Sequence, residues 1–149
     1  MDELIASTKV ALANTFIMYF KTHSFHWNIE GIEFPQYHEF FQDIYEDVYG
    51  AVDPLAENLR KLQAYAPISL MQMYNYKTIE EESSQVVLLA EMLSSLQSAN
   101  DKVIESLNKV FDLATAQKEQ GLANFVADRI DNHKKHGWMI RASLKKIEG

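Results

Sequence analysis

The chain has 149 residues, 47 % of them hydrophobic, with a formal charge of −7 and a pI near 5.2; this size and apolar content fit one folded domain, residues 1–149, and exclude a disordered chain. It contains no cysteine, which excludes disulfides, thiolate metal sites and cysteine nucleophiles and accords with a reducing compartment. The longest apolar run, Phe16 to Phe20, ends at Lys21 and is too short for a bilayer, and the acidic start Met1-Asp2-Glu3 lacks the basic stretch of a signal peptide. The expected setting is therefore cytoplasmic, with no membrane partner.

Glycine and proline are sparse and punctuate the chain at Gly31 to Pro35, Gly50 to Pro54, Pro67 and Gly121. The stretches between them predict an all-α fold, with helices near 2–28, 35–64, 83–113 and 119–147 and a short helix near Ser69 to Tyr74. In the first helix Leu12, Phe16, Tyr19, His23 and His26 recur at steps of three and four, the spacing of one face. A lone histidine on such a face is usually structural.

The second helix carries two stripes. Tyr37, Phe41, Ile44, Val48, Ala51, Leu55, Leu59 and Leu62 form an apolar core seam. Beside it run His38, Gln42, Tyr45, Tyr49, Asp53 and Glu57, where a solvent face would carry Lys and Glu. Tyrosine off a core seam marks a partner surface. Asp53 and Glu57, at i and i+4, present two carboxylates on one ridge, although Glu57 has Arg60 and Lys61 nearby as ordinary ion-pair partners.

Imidazole nitrogen with carboxylate oxygen suits ferrous iron, zinc or manganese, with iron the leading candidate. His38 lies fifteen residues before Asp53, roughly 22 Å of rise along one helix and beyond what two side chains bridge on a single ion. If both half-sets bind one metal, they come from two chains. Pro54 predicts a kink between Gly50 and Pro54, or a new helix capped by Asp53 with Pro54 at its first position.

The third helix has the seam Val86, Leu89, Leu93, Leu96, Asn100, Val103, Leu107, Val110, with Asn100 a register-setting buried amide. The fourth has Leu122, Val126, Ile130, His133, Gly137, Ile140, Leu144, Ile147. His133 on that seam reads as a core or interface histidine. The His133/His136 pair has only Asp128 and Asp131 nearby in sequence and makes a poor metal site.

The run His23-Ser24-Phe25-His26-Trp27-Asn28-Ile29-Glu30-Gly31, with Phe34, His38-Glu39 and Asp53-x-x-Ala56-Glu57, resembles the Dps family of mini-ferritins (DNA-binding protein from starved cells). The stretch His133-Lys134-Lys135-His136-Gly137-Trp138-Met139-Ile140-Arg141-Ala142 resembles the last helix of the same family, so the likeness covers essentially the whole chain. The resemblance implies a ferritin-like four-helix bundle assembled as a hollow dodecamer, with di-iron ferroxidase sites at two-fold interfaces. There His26 and His38 come from one subunit and Asp53 and Glu57 from its neighbour. It implies oxidation of Fe(II) to Fe(III), with hydrogen peroxide preferred over dioxygen, and mineral storage inside the cage. Trp27, with Tyr45 and Tyr49, is then placed to supply or quench an odd electron, or simply to pack. An ordinary ferritin centre built on Glu-x-x-His is excluded, because the residues three before the five histidines are Phe20, His23, Pro35, Ile130 and His133.

Three positions depart from the family pattern. Gln42 stands where a ligand carboxylate is usual, and its neutral amide is a weaker iron ligand; Asn58 replaces an arginine expected beside the ligand glutamate; Pro54 is the third. Acids near the start of the last helix line iron-conducting pores in the family; Glu119 and Asp128 occupy such positions, with Asn124 neutral between them, while an acid at Glu119 also suits a helix N-terminus. DNA binding is doubtful: the N-terminus is acidic, and the C-terminus offers only Lys145 and Lys146 against a net charge of −7. The alternative function is a cage-forming or DNA-compacting structural oligomer with weak or no ferroxidase activity.

Overall fold

The computed structural model describes residues 1–86 and 88–145, and these form six α-helices: α1 (Asp2–Asn28), α2 (Phe34–Gly50), α3 (Val52–Lys61), α4 (Leu70–Tyr76), α5 (Leu89–Ala116) and α6 (Gln120–Leu144). No strand occurs among the described residues. Asp2 and Glu3 in the first turn of α1 favour its N-terminus. The helix gives way at Ile29, and Gly31, at φ +107°, supplies the left-handed residue that turns the chain back. The loop is short, so α1 and α2 pack antiparallel, as Phe25 against Phe41 and Tyr19 against Tyr49 show.

The helix expected over 35–64 is two helices broken at Ala51. Ala51 sits at φ −85°, ψ −15°, with its N–H bonded to the Val48 carbonyl. Of the two readings of Pro54 the break holds and the cap does not. Asp53 already lies inside the first turn of α3, and Pro54 falls in that turn, where a missing N–H costs nothing. The core seam survives the break: Phe41, Ile44, Val48, Ala51, Leu55, Leu59 and Leu62 are all buried, and Tyr37 packs against them half-buried.

Ser69 caps α4 by accepting from the Gln72 N–H, and Gln72 reaches back to accept from the Ile68 N–H. The long connection then runs alongside α1. Buried Asn14 clamps Thr78 and Ile79, and buried Lys21 pairs with Glu82 at 2.9 Å and donates to Ser95. This crossover makes α5 antiparallel to α1. The expected start at residue 83 is corrected to Leu89: Leu88 is extended, and Glu82 is tied to Lys21 of α1 and Ser95 of α5. At its other end α5 runs past residue 113 to Ala116, since Ala114 is still fully buried. α6 folds back on α5 and ends at Leu144; the expected extension to Ile147, and Lys146, lie outside the described residues. The four long rods α1, α2–α3, α5 and α6 enclose one core of Leu, Ile, Val and Met, with Leu12, Met18, Phe41, Leu59, Met92, Leu96, Leu107 and Ile140 fully buried.

Candidate metal centre

His26 occupies the last turn of α1 and His38 the first turns of α2. The tight hairpin brings their rings together, stacked at 3.7 Å between centroids and 16° between planes. Each ring is tied to the other's backbone: His26 Nδ1–H donates to the His38 carbonyl at 2.6 Å, and His38 Nδ1–H donates to the His26 carbonyl at 2.7 Å. A carbonyl oxygen can only accept, so each Nδ1 carries a proton, and Nε2 is the nitrogen left to offer a lone pair to a metal. The His26 carbonyl is one of those at the C-terminus of α1 without an intrahelical partner, so this bond also caps the helix. Phe34 stacks on the outer side of His38 at 4.8 Å. Two imidazoles are thus fixed in tautomer and orientation, the preparation a metal-ligating histidine needs.

Asp53 and Glu57 stand one turn apart on α3, both exposed. Arg60, the nearby partner for Glu57, donates instead to the Ala64 carbonyl and lies over the Tyr65 ring. Asn58 spends its amide on the Pro54 carbonyl. Within one chain the structure does not bring this acid pair to the histidines: among the described residues no three metal-capable side chains converge. Gln42, on the stripe between the two half-sets, donates its amide to Glu46 Oε1 at 2.9 Å.

The rest of the stripe is aromatic. Tyr45 stacks on His23 at 3.9 Å and 14° and meets His26 edge-on at 5.2 Å. Trp27 lies 4.2 Å from His23, Tyr49 lies 4.6 Å from Tyr19, and both Trp27 and Tyr49 remain 55 % exposed. The Tyr19 hydroxyl is 2.9 Å from His23 Nδ1. Burial, then the neighbouring Tyr49 and Tyr45, pushes the Tyr19 pKa up; burial, then His26, pushes the His23 pKa down.

A second polar cluster lies inside the bundle. Asp47 of α2 accepts two bonds from the Arg129 guanidinium, at 3.0 and 2.9 Å, and one from His136 Nε2 at 2.7 Å. Arg129 also donates to His133 Nε2, while His133 Nδ1–H donates to the Asn100 side-chain oxygen and the Asn100 amide donates to the His133 carbonyl. His136 thus meets neither Asp128 nor Asp131, the acids nearby in sequence, but Asp47 of another helix, 89 residues away. Its only trace in the sequence is Arg129, four residues before His133 on the same helical ridge. Asn100 is a buried amide, as expected, whose specific task is to hold His133. With an arginine inside the cluster it is a structural ion-pair network rather than a metal site.

A family model described as the ferritin-like domain matches residues 6–149. The chain is 28 % identical over 143 residues to the Bacillus subtilis general stress protein 20U, covering 96 % of this chain and 98 % of that protein. It is likewise 28 % identical to the DNA protection during starvation protein of Brevibacillus brevis, covering 90 % of this chain and 89 % of the other. Among solved structures, the Dps protein of Vibrio cholerae, described as a member of a broad superfamily of ferritin-like diiron-carboxylate proteins, superposes with a TM-score of 0.90 at 27 % identity, over 97 % of this chain and 90 % of that one. With this agreement in fold and length, the chain belongs to the ferritin-like family and, within it, to the Dps mini-ferritins.

Proposed function

We propose that the protein oxidises Fe(II) to Fe(III) and stores it as mineral inside a hollow dodecamer, at sites each shared by two copies of the chain. His26 and His38 of one copy supply Nε2 donors, and Asp53 and Glu57 of a second copy supply carboxylates to the same pair of ferrous ions. The observation that carries this reading is the reciprocal bonding of His26 and His38, which leaves both Nε2 lone pairs free of intrahelical tasks. The exposed aromatic rim beside them, with Trp27 and Tyr49, supports burial against a partner. Two irons side by side give hydrogen peroxide two electrons in one encounter and avoid hydroxyl radical; dioxygen is the slower oxidant. Trp27 and Tyr49 line the pathway for a stray electron. Glu119 stands at the N-cap position of α6, its side chain free of any cap bond, and lines one groove with Glu57, Asn58 and Lys61, which suits a route for incoming cations.

The second reading, a cage without ferroxidase activity, draws on Gln42, whose amide is engaged with Glu46 in place of a ligand carboxylate. Mixed assembly decides between them. His26→Ala and Asp53→Ala each abolish fast iron oxidation, and a one-to-one co-assembly recovers about a quarter of the sites, because half of the isologous interfaces are mixed and each of those keeps one intact site of two. No recovery in well-formed mixed oligomers overturns the two-chain site, and rapid oxidation by either single variant overturns the ligand assignment.

A further inference from the structure

The Tyr19–His23 pair has the geometry of a proton-coupled electron donor. The Tyr19 hydroxyl lies 2.9 Å from His23 Nδ1, one helical turn away on the same ridge, so phenol and base are held together by α1 itself. His23 is in turn held flat against Tyr45 at 3.9 Å, and Tyr45 touches His26. Two ring contacts therefore separate the phenol from the proposed iron site. A free tyrosine is a poor one-electron donor because its radical cation is very acidic; a positioned base removes the obstacle by taking the proton as the electron leaves.

We propose that Tyr19 is a redox-active residue with His23 as its proton acceptor, reducing one-electron oxidants that escape the two-electron chemistry of paired irons. The proposal rests on the iron-oxidation reading for the source of the oxidant, the hydroxyl radical formed when one ferrous ion meets peroxide. In the step one electron leaves the Tyr19 ring through Tyr45 or His23 and reduces hydroxyl radical to hydroxide. The O–H bond of Tyr19 breaks and its proton forms an N–H bond at His23 Nδ1, leaving a neutral phenoxyl radical and an imidazolium. A further ferrous ion returns the electron and becomes ferric, His23 returns the proton, and the phenol is restored. The neighbouring Trp27 and Tyr49 have no hydrogen-bonded base among the described residues, which sets Tyr19 apart from them.

The test uses the metal-free oligomer and a photogenerated ruthenium(III) polypyridyl oxidant, in a background where the exposed phenols Tyr49, Tyr65 and Tyr74 are replaced by Phe. Electron paramagnetic resonance of the frozen sample is expected to show a neutral tyrosyl radical coupled to an exchangeable proton. Tyr19→Phe should abolish that signal. His23→Gln keeps a hydrogen-bond acceptor but not a base, and should slow radical formation about a hundredfold at neutral pH and remove the exchangeable-proton coupling. His23→Leu should do the same, and thermal melts of all variants separate this loss from unfolding. An undiminished signal in Tyr19→Phe, or unchanged rate and coupling in folded His23→Gln, overturns the proposal. Because no iron is present, the readout is independent of the ligand set: His26→Ala should lose iron oxidation and keep the radical.

Discussion

Nδ1 of His26 and of His38 is spent on a backbone carbonyl, so what these residues offer a metal is decided before any metal arrives. Gln42 is the residue where chemistry and packing pull apart. It sits one turn before Glu46 and donates to it, so Gln42→Asp replaces a hydrogen bond by two like charges at i and i+4, costing about 0.3 kcal/mol without metal. With ferrous iron the added carboxylate should raise affinity at the second position and speed oxidation. Calorimetric titration of intact oligomers checks this, and unchanged stoichiometry and affinity would remove Gln42 from the site.

Acid should act through the interior network. Burial alone would raise the Asp47 pKa, but hydrogen bonds from His136 and Arg129, and their charges, outweigh it and hold the carboxyl well below the usual range. Burial, then Arg129 and His136, holds His133 neutral with a pKa well below the ordinary imidazole value. In both cases the unfolded chain binds the proton more readily, so stability falls as pH falls: from about 6.5 downward for His133 and from about 4 downward for Asp47. Asp47→Asn strands the buried Arg129 charge and should cost about 3 kcal/mol at neutral pH while flattening the acidic limb. Urea titrations across that range measure it; a wild-type curve level between pH 7 and 5 would mean that His133 is charged in the fold. The paired histidines were legible in the sequence because twelve residues and one glycine turn separate them. The Asp47 cluster was not, because its members lie 82 and 89 residues apart and meet only when α6 packs on α2.

At the scale of elements, the helix ends were the least legible. Periodicity placed every rod, yet two of them stop without glycine. Gln63 after α3 and Lys118 after α5 take positive φ, 66° and 61°. Each completes the same pair of bonds: Ala64 N–H to Leu59 carbonyl with Gln63 to Arg60, and Glu119 to Ala114 with Lys118 to Thr115. Nothing in the sequence marks these positions, since side chains with a Cβ are disfavoured there. Gln63→Gly and Lys118→Gly should each stabilise the fold by about 1 kcal/mol, read as a rise in denaturant midpoint with unchanged slope. A fall in midpoint would mean that the side chain is held by contacts worth more than the backbone strain. The break at Ala51 was legible from Pro54, and the delayed start of α5 was not, because it depends on Lys21 of α1 holding Glu82.

The whole molecule leaves unusual apolar surface bare. Trp27, Ile32, Ile68, Leu70, Met71 and Trp138 are all more than half exposed, and α4 buries none of its own residues. A protein of 17.2 kDa with such faces should run as a large compact oligomer, and light scattering that finds a stable monomer would sink that expectation. Assembly also decides the question of DNA. Every added copy brings a further −7, while Lys145 at the C-terminus is exposed and Lys146 lies outside the described residues. Phosphate neutralisation needs clustered cations, and the affinity it gives falls steeply with salt. Repetition of a short basic end across many copies works the other way, by avidity. The acidic surface should win at physiological salt, so plasmid mixed with the oligomer should migrate unretarded, with retardation at most at very low ionic strength. Clear retardation at physiological salt, lost on Lys145→Glu with Lys146→Glu, would show that the assembled C-termini concentrate charge enough to overcome the net repulsion.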